Sequence, residues 1–170
     1  MNRMTVVLAV AALLAPLSSA HSQSPQRSFN FNSANVGGIG SGEVFVTGGG
    51  TFDPVAGVVK AGGAFHCLQD ISVGPLAGLK AGESVRWDTE DIVQSFDIRC
   101  TGGEALRTVT TNDHTVIMKA DFYRRGDGNQ ASLHAVMFVS ATDEDDGLSG
   151  AQTVWIQGVG CGDALVHFNN

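Results

Sequence analysis

Basic residues are scarce: 10 Lys and Arg stand against 17 Asp and Glu in 170 residues. The only adjacent basic pair is Arg124-Arg125. Such a chain lacks the positive surface that holds nucleic acid or an anionic membrane, and neither is expected as its main partner. After residue 20 no run approaches the roughly 18 apolar residues of a membrane helix, so no membrane span is expected. Familiar catalytic signatures are missing as well. There is no GxSxG, P-loop, GxGxxG or CxxC, hence no motif from which to argue for chemistry. No cofactor is expected. His66, His114, His134 and His167 show no HxH or HExxH spacing. Zinc or copper binding would therefore need residues that meet only through space. No stretch carries a helical period over three turns, and residues 75–92 hold at most one short helix.

What is present begins with a leader. Arg3, the apolar run TVVLAVAALLAPL (5–17) and SSA (18–20) follow the order of a secretory signal. The run is too short to span a bilayer of about 30 Å. No cysteine follows it, which argues against lipid attachment. With residues 1–20 removed, an exported chain (secreted or periplasmic) of 150 residues starts near His21, with a net charge of about −8. One domain of that length buries about 70% of its unfolded surface. Residues 21–41 are rich in Ser, Asn and Gly and read as a loose N-terminal arm.

Three cysteines remain, Cys67, Cys100 and Cys161. In an oxidising compartment two of them pair. Cys67 and Cys100 each close an apolar strand-like run and are the expected disulfide. Cys161, in GVGCGD, is the expected spare thiol.

Short β-type runs separated by Gly, Asp and Asn fill residues 42–170. HTVIMKADFYRR and ASLHAVMFVSAT flank a loop, Gly126–Asn129. Arg125 then pairs with Gln130, and Val116, Met118, Ala120 and Phe122 face Val139, Met137, Ala135 and Leu133. That face is wholly apolar, and a one-residue slip would spoil it. The Arg125-Gly126-Asp127 triplet at the tip supplies what a hairpin loop needs, whatever else it does. Turns at TNDH (111–114) and TGGE (101–104) extend the register backwards. They predict four consecutive antiparallel strands, about 93–100, 105–111, 114–124 and 131–142, with Val109 opposite Val116 and Phe96, Ile98 and Cys100 on the apolar face. EVFVTGGGTF and GVVKAGGAFHC flank a turn at 53–57. Glycines 48–50 and 62–63 fall mid-strand, as at bulges or barrel corners. TVWIQGV and ALVHF flank GCGD, with Trp155 and Phe168 expected to pack together. About eight strands predict a single all-β antiparallel domain, a small up-and-down barrel, with a two-sheet sandwich as the alternative.

The strings GGGTFDPVAGVVKAGGAFHC, RWDT, ADFYRRGDGN and VWIQGVGCG resemble a group of secreted bacterial proteins without known activity. The resemblance covers most of the chain after the leader and implies export and a β-rich fold. The first hairpin alone is similar to the opening of dirigent and allene oxide cyclase barrels. That similarity implies at most a barrel able to hold a small apolar ligand.

Three sets of residues break the structural pattern. Arg107 is placed opposite Met118 on the apolar face. A guanidinium there either binds an anion at a barrel mouth or snorkels to water from a strand end. Asp121 and His134 face one another on the other side of the hairpin, a carboxylate orienting an imidazole. They share that side with Lys119, Tyr123, Ile117, Val136 and Phe138. No Ser or Cys nucleophile can be set beside them, and a surface or inter-sheet salt bridge is the plain alternative. In TDEDDGLSG (142–150), Asp143 and Asp145 offer oxygen ligands for a cation such as calcium, or simply a solvated acidic loop.

The leading expectation is a non-enzymatic exported module that binds a small apolar or anionic molecule, or a surface protein. An isomerase- or cyclase-like enzyme with its site in a barrel lumen is the alternative, and a structural cell-surface module is a third. A lumen of several hundred Å³ lined by Arg107, Met118 and Met137 would favour a ligand or a reaction inside. A filled core would favour a surface module.

Overall fold

The computed structural model describes residues 26–169, and the expected signal, residues 1–20, lies outside them. Eleven strands and no helix occur among the described residues: β1 Arg27–Gly38, β2 Glu43–Asp53, β3 Val58–Cys67, β4 Ser84–Val93, β5 Ser95–Ile98, β6 Arg107–Thr110, β7 Thr115–Arg124, β8 Leu133–Ser140, β9 Val154–Ile156, β10 Gly160–Gly162 and β11 Leu165–Asn169. Strands β1, β2, β3, β4, β7, β8, β9 and β10 pair in that order, all antiparallel, and β10 pairs back onto β1. The ring is a closed eight-stranded barrel rather than a sandwich. Strand β11 continues from β10 along the first half of β1.

Local turn chemistry sets the hairpins. In the β2–β3 turn the Asp53 carboxylate accepts from the amides of Val55 and Ala56 at 2.9 and 2.8 Å. Gly57 leaves the turn with φ +70°, a left-handed conformation that a side chain resists. The β7–β8 register is the one the apolar face demands: Val116 opposes Val139, Met118 opposes Met137 and Asp121 opposes His134. The apolar side points into the barrel. There Met118, Phe122, Met137 and Val139 join Phe52, Phe65 and Trp87 in one buried cluster.

Several expectations need correction. First, most of the supposed N-terminal arm is strand β1. Within its polar composition Phe29 and Phe31 alternate with Asn30 and Asn32, and both phenylalanines are buried. Two apolar side chains at period two are enough to seat a strand between β2 and β11. Second, residues 84–92 form a strand, not a helix: Val85 and Trp87 point inward between exposed Ser84 and Arg86.

Third, the four-strand meander is interrupted. Strands β5 and β6 pair only with each other, Ile98 opposite Arg107 and Phe96 opposite Val109. Strand β7 takes β4 as its neighbour instead. The reason lies on the outer face of β7, β8 and β9, which carries Ile117, Val136, Phe138 and Trp155. These apolar groups need cover, and the β5–β6 hairpin lies over them with Ile98 and Val109 in a second buried cluster. Fourth, the disulfide joins Cys100 to Cys161, and Cys67 is the free thiol. Cys100 follows β5 outside the barrel, where it meets β10. Cys67 faces the interior, where burial pushes its thiol up to about 11.

The mid-strand glycines mark no bulge, because the β2–β3 register runs unbroken from Val44 to Asp53. Two of them, Gly48 and Gly63, make room for an indole. A Cβ at Gly48 would stand 2.2 Å from Cζ2 of Trp87, and one at Gly63 would stand 2.8 Å from its Nε1. Trp155 and Phe168 do not pack together. Trp155 stacks on Phe138 outside the barrel, while Phe168 lies against Phe29 and Phe52.

Candidate functional site

The interior leaves no working space at the residues expected to line it. Met118 and Met137 have no exposed surface. Among the described residues, open clefts lie on the outer surface.

Three adjacent strands build the outer site. On β4, β7 and β8 the register sets Asp88, Asp121 and His134 side by side in one row. His134 Nδ1 donates to Asp121 Oδ1 at 2.6 Å. The imidazole is 65% exposed and the carboxylate 20%. Two residues along the strands, Arg86 and Tyr123 are also paired. The Arg86 guanidinium lies 3.7 Å from the centre of the Tyr123 ring, a cation–π contact. Tyr123 donates its hydroxyl to Asp88 Oδ1 at 3.0 Å, and Arg86 Nη1 lies 3.3 Å from Asp88 Oδ2. The hydrogen bond to Asp88 holds the Tyr123 phenol above its ordinary value.

A β-bulge completes the row. Between Thr89 and Asp91 the β4–β7 register shifts by one residue, so Glu90 and Asp91 together stand against Lys119. The shift keeps Ile92 in the core and turns both carboxylates outward. Glu90, Asp121 and His134 then offer one ligand atom each, all within 4.8 Å of one another.

Beside the Arg86–Tyr123 stack runs an outer groove of about 610 Å³, with Arg124, Arg125 and Gly128 on its rim. Arg124 Nη2 lies 3.5 Å from Glu83, and Arg86 Nη2 donates to the Gly128 carbonyl at 3.2 Å. The Arg125-Gly126-Asp127 triplet thus sits at the groove's edge, in an exposed turn with Gly126 at φ +102°.

The other residues singled out in the sequence lie elsewhere. Arg107 is not opposite Met118. It projects from β6 to Asp145, Nη2 to Oδ1 at 2.7 Å, and donates to the Glu144 carbonyl at 2.9 Å. Asp145 is buried by this pairing and also accepts from the Gly147 amide at 3.2 Å. Asp143 Oδ1 accepts from the amides of Asp145 and Gln152, both at 2.9 Å, which lowers its pKa. Both carboxylates therefore fold their own loop. Asp145 also lies near Glu104 and Cys100, but the Cys100 sulfur is held in the disulfide and offers no thiolate.

Sequence reasoning missed Asp88 and Glu90. Their signal was the alternation Arg86, Asp88, Glu90 in RWDTE, legible only once β4 is known to lie beside β7. The groove arginines were visible merely as a basic pair. Comparison of the chain with family models, curated proteins and solved structures finds no match.

Proposed function

We propose that the chain is an exported binding module that holds a small anionic ligand on the outer wall of a filled barrel. The groove beside Arg86 and Tyr123 is the seat of that ligand. The observation that carries the reading is the contrast between inside and outside. Met118 and Met137 have no exposed surface, whereas three arginines, Arg86, Arg124 and Arg125, line one outer groove of an otherwise acidic chain. Guanidinium forks suit carboxylates and phosphates, and a tyrosine face beside them gives an organic anion something to stack on. The Cys100–Cys161 disulfide agrees with an oxidising compartment. An isomerase- or cyclase-like site in the lumen would need the space that these side chains occupy.

Thermal unfolding with inorganic phosphate, pyrophosphate and citrate tests the reading. At least one should raise the Tm saturably, and the Arg86→Ala/Arg125→Ala variant should lose the rise while a core variant, Met137→Leu, keeps it. If no anion acts, or if a lipophilic compound raises the Tm and Met137→Leu abolishes that effect, the module does not work as proposed.

A further inference from the structure

Asp121 stands between two strands that treat it differently. Across β4 it meets Asp88, another carboxylate, and like charges directly opposed across a strand pair are destabilising. Across β8 it meets His134. Arg86 and Tyr123 engage Asp88. The bulge then adds Glu90 to the same side as Asp121, raising the local negative charge rather than relieving it. Bulges of this kind commonly re-aim a side chain toward a functional site.

We infer that Glu90, Asp121 and His134 form a binding site for a divalent transition-metal ion of the zinc class. Two carboxylates and one neutral imidazole supply three ligands, and the two negative charges match the charge of the ion. The imidazole favours zinc and its neighbours over calcium or magnesium, which prefer oxygen donors throughout. Asp121 and His134 sit on paired strands and share a hydrogen bond whose proton the ion would displace, so the ladder holds two of the three donors side by side. A tetrahedral zinc with bonds of about 2.0–2.1 Å brings its donors to about 3.3 Å from one another. The present separations all lie within 4.8 Å. Glu90 is exposed on the bulge, so closing the set on an ion needs only a side-chain rotation. The fourth position faces solvent and stays open to water or an anion. The inference uses residues outside the anion groove and does not depend on it.

Untagged full-length protein, stripped with a chelator and titrated with zinc against a chromophoric indicator, provides the test. One zinc per chain should bind more tightly than in the variants. His134→Gln should remove that site, and Glu90→Gln should weaken it by about tenfold or more. Asp143→Asn, in the acidic loop, should leave it unchanged. Cobalt in place of zinc should give the intense visible absorption of a low-symmetry site in the parent and lose it in His134→Gln. Far-UV circular dichroism checks that each variant is folded. Equal zinc binding by the parent and His134→Gln, no saturable binding by the parent, or calcium competing as well as zinc would each overturn the inference. None of these results bears on the anion groove, which is read through Arg86 and Arg125.

Discussion

Tyr123 is the only tyrosine in the chain, so its ionisation can be followed without overlap. Its hydroxyl donates to Asp88, and losing the proton would set a phenolate against a carboxylate. The hydrogen bond is the largest cause of the raised pKa, with desolvation next, while the Arg86 guanidinium pulls the other way. The fold thus favours the protonated phenol. Its contribution is present in full below pH 10.0, the ordinary value, and fades as pH rises through the higher folded value. Near-ultraviolet absorbance should show phenolate forming above pH 10.0, with Asp88→Ala bringing the midpoint back down. An unchanged midpoint in that variant would mean that the Asp88 bond does not govern the phenol. At this scale the sequence was partly legible. Asp121 and His134 could be paired because one hairpin loop fixes their register. Arg107 could not be placed, because its partner Asp145 lies beyond β7 and β8 in the chain.

At the scale of elements, hairpins were readable and distant pairings were not. A turn of four or five residues between alternating runs leaves few registers, and the apolar face selects one. The β4–β7 contact skips a whole hairpin, and no local signal distinguishes a strand that continues the wall from one that leaves it. The same limit hid the purpose of the glycines. A strand with three consecutive glycines is weak by itself, and its partner in space, Trp87, lies some forty residues away. The pair gives a test. In Gly48→Ala the new methyl meets Trp87 Cζ2 at 2.2 Å and the Gly62 carbonyl at 2.7 Å. Overpacking of this kind should cost about 1–3 kcal/mol in urea unfolding. Gly102→Ala, where nothing lies within 4 Å, should change little. Equal stability of the two variants would show that the indole can move aside at no cost.

Taken whole, the described residues build two hydrophobic cores that share one wall. The inner core is the barrel's own. The outer one lies between β7–β9 and the β5–β6 hairpin, and the Cys100–Cys161 bond fastens the hairpin to β10. The bridge closes 61 residues of chain. A loop of that length should make the Cys100→Ala/Cys161→Ala variant less stable by about 2–4 kcal/mol. Trp155, whose Nε1 donates to the Arg99 carbonyl beside Cys100, should report the loss as red-shifted fluorescence. Trp87, inside the barrel, should keep its emission in the folded state. Identical unfolding curves for variant and parent would mean that the hairpin holds its place by packing alone.

The pairing of β1 with β11 fixes how the molecule can be held. Ser28 lies opposite Asn169, so both ends of the described chain leave from a single rim. Arg27, beside them, reaches Asp113 at the start of β7. Arg124 and Arg125 stand at the other end of that strand, ten residues away, or about 33 Å along it. A tether or fused domain attached at either end therefore departs from the rim opposite the arginines. In such a fusion the barrel would act as a spacer, with the groove pointing away from the attachment.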